Sequence, residues 1–222
     1  MTRAFWTSAF LDLAPGDLDR GTRFWTAATG FDGSAVADLS REFPPLKPPT
    51  GASYLWVQRV GDRPSRVHVD LHVAELDAAV EQAQTLRAQL VDRRDHAVLR
   101  SPSGYSFCLV TDSAGPVPPA ISWPGHRSRV DRVRLFVPHS TYAAESALLH
   151  SFTPFAAVAL DLVVEPCDGA QPHAELEVGT SDRERERARH EVLGARLLGS
   201  SGSYDELVDP VGIRYRISDR RR

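Results

Sequence analysis

His68-Val69-Asp70-Leu71-His72-Val73 and His173-Ala174-Glu175-Leu176-Glu177-Val178 are two versions of one phrase, and their agreement decides how the chain divides. In both, a histidine opens an alternating run, and Asp77 and Asp182 follow at equal distances from their histidines. Further along, Ser101-Pro102-Ser103-Gly104-Tyr105-Ser106-Phe107-Cys108-Leu109 is answered by Asp209-Pro210-Val211-Gly212-Ile213-Arg214-Tyr215-Arg216-Ile217, a turn leading into a strand each time. This is an internal repeat of a strand, a helix and further strands. A fainter echo inside the first half, Leu11-Asp12-Leu13 with Leu18-Asp19 against Leu71-His72-Val73 with Leu76-Asp77, raises the count to four units. Between the halves, the segment 113–125 carries four prolines and no apolar period, as a linker does. The boundaries expected are an N-terminal module at 1–112, the linker at 113–125, and a C-terminal module at 126–222.

Composition narrows the function classes. With 42% hydrophobic and 25% charged residues among 222, the chain has material for a core and is not a disordered regulator. Two cysteines are too few for a disulfide framework and match no zinc or redox spacing. A net charge of −3 offers no long-range attraction to nucleic acid. No run is long and apolar enough for a membrane span, and the first residues lack a secretory apolar region, so a cytoplasmic protein is expected.

Periodicity supplies the helices. Asp17 is placed to cap a helix carrying Leu18, Trp25 and Ala28, with Gly30 as its stop. Leu76, Val80, Ala83, Leu86 and Leu90 share a face in the second unit. In the third, Ser140 is the expected cap, with Tyr142, Leu148 and Leu149 facing the core. The fourth is so charged that only Ala188, Val192 and Leu193 are expected to bury, leaving the rest as a solvated face.

The order of these features, with Phe24-Trp25-Thr26-Ala27-Ala28-Thr29-Gly30 and Gly104-Tyr105-Ser106-Phe107-Cys108-Leu109-Val110, resembles the vicinal oxygen chelate superfamily, which includes glyoxalase I, bleomycin-resistance proteins and extradiol dioxygenases. The resemblance implies an α+β fold of four βαβββ units paired into two modules, each with a curved mixed sheet cupping a ligand and flanked by helices. It also implies metal ligands on the first and last strands of paired units. His68 and His173 match the first-strand histidines. The other matching positions are Ser8, Gln58 and Cys108 in the first half, and Arg132, Glu165 and Arg216 in the second. A divalent ion held by His68 and Gln58 is therefore an incomplete site on this reading.

Strand alternation gives an independent account of the faces. Val67, Val69, Leu71 and Val73 belong to the helix side, and His68, Asp70 and His72 to the opposite one. The same rule puts Tyr54, Trp56 and Gln58 on the His68 side. Aromatic rings with a few directional polar groups suit a small-molecule pocket, although a packed contact between units would also use them. His68 and Asp70, ~7 Å apart along a strand, can share an ion, whereas His68 and His72, ~13 Å apart, cannot. His68 and Asp70 are the candidates for catalysis; Tyr54, Trp56, Gln58, His72, Cys108 and Ser8 are those for contact with substrate. The second groove, with Arg132, Arg134, Glu175, Glu177, Arg214 and Arg216, is expected to be filled by its own ion pairs. The proline-rich loop 41–51 is either a lid or a surface connection. His96, His126, His139, His150 and His190 receive no role. Two functions remain open: a glyoxalase-like lyase, isomerase or dioxygenase, or a non-catalytic binder of the antibiotic-resistance kind. The expected partner is a small molecule, not nucleic acid or membrane, and the chain is expected as a monomer or homodimer.

Overall fold

The computed structural model describes residues 2–38, 40, 42–61, 63–153 and 158–220. The strand β1 (Ala4–Leu13) lies antiparallel to β4 (Arg66–Val73), the strand that carries the histidine phrase. On its other side β1 runs parallel to β3 (Leu55–Arg59), and β4 runs parallel to β7 (Ser106–Val110). Adding the two-residue β2 (Pro45–Leu46), β5 (Gln89–Arg93) and β6 (Ala97–Arg100) gives a seven-stranded sheet in the order β2-β3-β1-β4-β7-β6-β5. A second sheet repeats the centre of this plan. Its strand β9 (His126–Pro138) is antiparallel to β11 (His173–Thr180) and parallel to β10 (Asp161–Cys167), while β11 is parallel to β14 (Arg214–Asp219). The strands β13 (Tyr204–Val208) and β12 (Arg196–Ser200) extend it on one side, and β8 (Ile121–Trp123) pairs with β9. The chain is thus α+β with two mixed sheets flanked by helices. The segment read as a linker is laid onto this framework: it contributes β8, and Ala52 N–H donates to the Pro116 carbonyl at 2.9 Å.

Alternation along β4 is realised on its apolar side, since Val67, Val69, Leu71 and Val73 are all buried. What they meet includes the other module. Helix α1 (Leu18–Thr29) ends at Gly30, whose φ of 68° is left-handed and suits glycine. It sends Trp25 against Tyr215 at 5.3 Å, with the indole N–H donating to Asp209 at 2.9 Å. From the first module Tyr54 donates to the Val130 carbonyl at 2.9 Å, and from the second Glu145 accepts from Ser103 N–H at 2.9 Å. One continuous core therefore draws on both sheets. Expressed alone, residues 1–112 would expose Trp25 and Tyr54, so we expect that fragment to aggregate; a monodisperse fragment in light scattering would contradict a shared core.

Four helix readings change. Asp17 stands at the N-cap position of α1 without capping it, because its carboxylate is taken by Arg20 and Ser65. Helix α2 (Leu76–Thr85) stops before Leu90, which lies exposed on the edge strand β5. The N-cap of α3 (Tyr142–Ser151) is Thr141, one residue beyond Ser140. In α4 (Arg183–Val192) the inward face is polar: Glu186 and His190 are wholly buried and Val192 is 88% exposed. Charged residues can occupy an inward face when each finds a partner. Glu186 accepts from Arg189 at 2.7 Å and lies 2.5 Å from His126 and 3.0 Å from His190, and His190 also contacts Tyr215. Arg189 continues into the other module, donating to the Ala27 and Ala28 carbonyls at the end of α1. His190, given no role by spacing, thus belongs to the contact between modules, meeting Phe24 at 5.8 Å, and His126 supports it through Glu186.

Burial alone would raise the Glu186 pKa, but hydrogen bonds from His190 and Arg189, with their charge, hold it far below its ordinary 4.5. A carboxyl depressed on folding stabilises above its unfolded pKa, and that stability is lost as pH falls through the interval down to the folded value. Denaturant midpoints should accordingly drop on acidification below pH 4.5, and the slope should be shallower in Glu186→Gln. Equal slopes in the two proteins would exclude Glu186 as a source of acid lability.

Candidate functional site

The polar side of β4 faces a cavity of about 810 Å³. Its position follows from register. Ser8 on β1 is opposite Asp70, which is beside Cys108 on β7, and Phe10 is opposite His68 and beside Trp56 on β3. The second row is aromatic: Phe10 stacks on His68 at 4.6 Å and on Trp56 at 6.1 Å. Phe43, from the proline-rich loop, meets Phe10 edge-on at 5.8 Å and lines the cavity with Glu42, so that loop forms part of the wall. Arg41 of the loop lies outside the described residues.

The first row holds the chemistry. Donor atoms of His68, Asp70 and Cys108 all lie within 4.8 Å of one another. His68 is held from behind by Asp12, whose carboxylate accepts from Nδ1 at 2.7 Å and is itself fixed by Arg66 at 2.9 Å. That commits Nδ1 and turns Nε2 toward Asp70 Oδ1, 3.5 Å away. That Asp70 oxygen is buried and, among the described residues, makes no hydrogen bond beyond this ion-pair contact. Burial works against a charged His68, yet the carboxylates of Asp12 and Asp70 outweigh it and raise the pKa from 6.5 to about 9. Burial, then the charge of Asp70, pushes the Cys108 thiol well above its ordinary range. A bound dication would oppose both shifts, favouring the neutral His68 ring and displacing the proton from sulfur.

These residues fit a divalent metal on two grounds. An imidazole nitrogen, a carboxylate whose buried oxygen makes no hydrogen bond among the described residues, and a sulfur converge, and the imidazole is oriented by a carboxylate on its far nitrogen, the usual support of a metal-bound histidine. Mixed N, O and S donors suit a borderline ion such as zinc, and three protein ligands leave positions open.

The sequence candidates divide accordingly. His68, Asp70, Cys108, Ser8, His72, Trp56 and Gln58 all line the cavity. Gln58 does not join His68: it is opposite Asp12 and two strands over, about 10 Å across the sheet at ordinary strand spacing, with β1 between. The partners of His68 are Asp70 and Cys108 instead. Tyr54 is not in the groove. It precedes the first residue of β3, is wholly buried, and packs on Phe31 at 5.7 Å, because alternation assigns faces only within a paired strand. His68 as a proton acceptor is also disfavoured, since one nitrogen is bound to Asp12 and the ring is cationic at neutral pH. Asp12 is a further site residue that no spacing in the sequence marks, because its place opposite Arg66 depends on the register of β1 on β4. Ser8 and His72 bond each other at 2.9 Å.

The second groove has the same frame and a different filling. Phe136 stacks on His173 at 5.0 Å, as Phe10 does on His68. Around it Arg134 pairs with Glu165 and Glu177, Arg132 with Glu177, and Arg216 with Glu165 and Glu175. The Arg216 guanidinium is flanked by the rings of Phe136 and Tyr204 at 4.8 and 4.2 Å. The charges answer one another across the space that the first module leaves open.

The two mixed sheets share one plan, an antiparallel pair at the centre with a parallel pair on either side, and one of them cups a polar floor. Residues 8–110 match the family model described as a glyoxalase-like domain, in keeping with the resemblance to the vicinal oxygen chelate superfamily. Among solved structures it is similar to the Mn(II)-bound glyoxalase of Novosphingobium aromaticivorans, with TM-score 0.67 and 12% identity, over 99% of this chain and 83% of that one. It is also similar to homoprotocatechuate 2,3-dioxygenase of Arthrobacter globiformis, with TM-score 0.65 and 13% identity, over 99% and 80% of the two chains. BphC, a halotolerant catechol dioxygenase, aligns with TM-score 0.59 and 10% identity over 98% and 87%. At such identities the likeness establishes the fold. No curated protein matches the sequence. Among the described residues, no helix is long and apolar enough to cross a membrane.

Proposed function

We propose that the N-terminal groove binds a small organic molecule with adjacent oxygens over a divalent metal held by His68, Asp70 and Cys108, and acts on it as a glyoxalase-like enzyme. The observation that carries this reading is the convergence of those three donor groups, within 4.8 Å, on the floor of an 810 Å³ cavity. A bound divalent ion would supply Lewis acidity, polarising an oxygen of the ligand. The chain's own residues supply the rest. Asp12 fixes the ring of His68; Phe10, Trp56 and Phe43 give an apolar wall that excludes water; Gln58 offers an amide at the side of the groove. Neighbours that are a Mn(II)-bound glyoxalase and ring-cleaving dioxygenases are consistent with a metal-dependent reaction on this fold, although a fold alone does not select the chemistry.

Elemental analysis of the purified chain is expected to find about one divalent ion per molecule, and His68→Ala or Asp70→Ala to lose it. Metal-free wild-type protein whose ligand binding survives both substitutions would overturn the chelating role. A second reading, sequestration of a small molecule without turnover, is favoured by the aromatic wall that Phe10, Trp56 and Phe43 set beside His68, which suits a flat organic ligand. Thermal stabilisation by an aromatic or glycopeptide antibiotic, with no product formed, would select it.

A further inference from the structure

We propose that Ser8 and His72 form a nucleophile and base pair that gives the first groove an acyl-transfer activity toward esters or thioesters, separate from the metal trio. Both nitrogens of His72 are committed: Nδ1 lies 3.0 Å from the main-chain oxygen of Asp112, and Nε2 lies 2.9 Å from Ser8 Oγ. A carbonyl oxygen can only accept, so the neutral ring carries its proton on Nδ1 and presents a lone pair at Nε2. The Ser8 hydroxyl must then donate to His72, which leaves its oxygen as the electron-rich end of the bond. This is the arrangement that activates a serine: the nucleophile bonded to a base, and the base oriented by a third group. Phe5 packs edge-on against the His72 ring at 6.2 Å, which restrains its plane. Both residues line the cavity while being 1% and 6% exposed, so the pair faces a ligand and is shielded from bulk water.

The second module supplies a control. By register, Arg134 and Glu177 occupy the places of Ser8 and His72, and they too are bonded to each other. A polar link between these strands serves both sheets, but only the module with the cavity builds it from a nucleophile and a base.

In the reaction Ser8 Oγ attacks the acyl carbon and its proton passes to His72 Nε2. The bond from that carbon to the leaving oxygen or sulfur breaks, and the leaving group departs with the proton. Water then repeats the sequence on the acyl-serine, releasing the carboxylic acid and restoring the Ser8 hydroxyl. No oxidant or reductant is needed.

The test treats the full chain, stripped with chelator, with a fluorophosphonate: the Oγ–P bond forms, the P–F bond breaks and fluoride leaves with the proton. Peptide mapping is expected to find the label on Ser8, absent in Ser8→Ala and forming about 100-fold more slowly in His72→Gln, with p-nitrophenyl acetate hydrolysis falling in parallel. A folded wild-type chain that stays unlabelled at Ser8 overturns the proposal whether or not the variants fold, and so do equal labelling rates in wild type and His72→Gln. Because the metal has been removed, either outcome is independent of the chelating role of His68.

Discussion

Asp12→Asn is expected to weaken divalent-metal binding by about 10- to 100-fold without touching a metal ligand. The carboxylate of Asp12 accepts from His68 Nδ1 at 2.7 Å, and in doing so fixes both which nitrogen bears the proton and where Nε2 points. An asparagine of the same shape keeps one acceptor but loses the charge that makes the imidazole a better donor to a metal. The side chain is also locked by Arg66 at 2.9 Å, so the amide has a choice of orientations the carboxylate lacks. Competition titration with a chelating dye would read the affinity, and circular dichroism would show whether the sheet is intact. An unchanged affinity in a folded variant would mean that the ring is held by its stack on Phe10 alone, whose centroid distance is 4.6 Å.

The second large effect is on stability. Glu186→Ala should cost about 3–5 kcal/mol, the usual penalty for breaking a buried charge network from one side. Its carboxylate is the common partner of Arg189, His126, His190 and Ser128, all drawn inward between the modules. Removing it leaves Arg189 with the carbonyls of α1 but without a counter-charge, and strips Ser128 and the two histidines of an acceptor. Urea unfolding followed by tryptophan fluorescence reports directly, because Trp25 sits at the same junction against Tyr215. A loss under about 1 kcal/mol, the level of an exposed ion pair, would show that water reaches the network.

The second-groove filling was legible as charge balance, since Arg132, Arg134, Glu175, Glu177 and Arg216 alternate along recognisable strands and could answer one another. The floor of the first groove was legible in part. His68, Asp70 and His72 share a face by alternation alone, and Cys108 stands at the last-strand position that the family resemblance implies. Tyr54 is off the expected face, and Gln58 is on it but away from His68. Gln58 is on the right face but two strands from His68, a separation that depends on register. Tyr54 lies before its strand begins, where the two-residue period no longer applies.

The sequence by itself determined the repeat, the α+β plan and the faces of β4, because these depend on local periods that a chain carries wherever it folds. Tertiary structure decided which side chains became neighbours. The partnership of His68 with Asp12 follows from an antiparallel register between β1 and β4, and the burial of Glu186 with His190 follows from one module packing on the other. Both are contacts between segments distant in the chain, and no spacing along it encodes the distance across the fold.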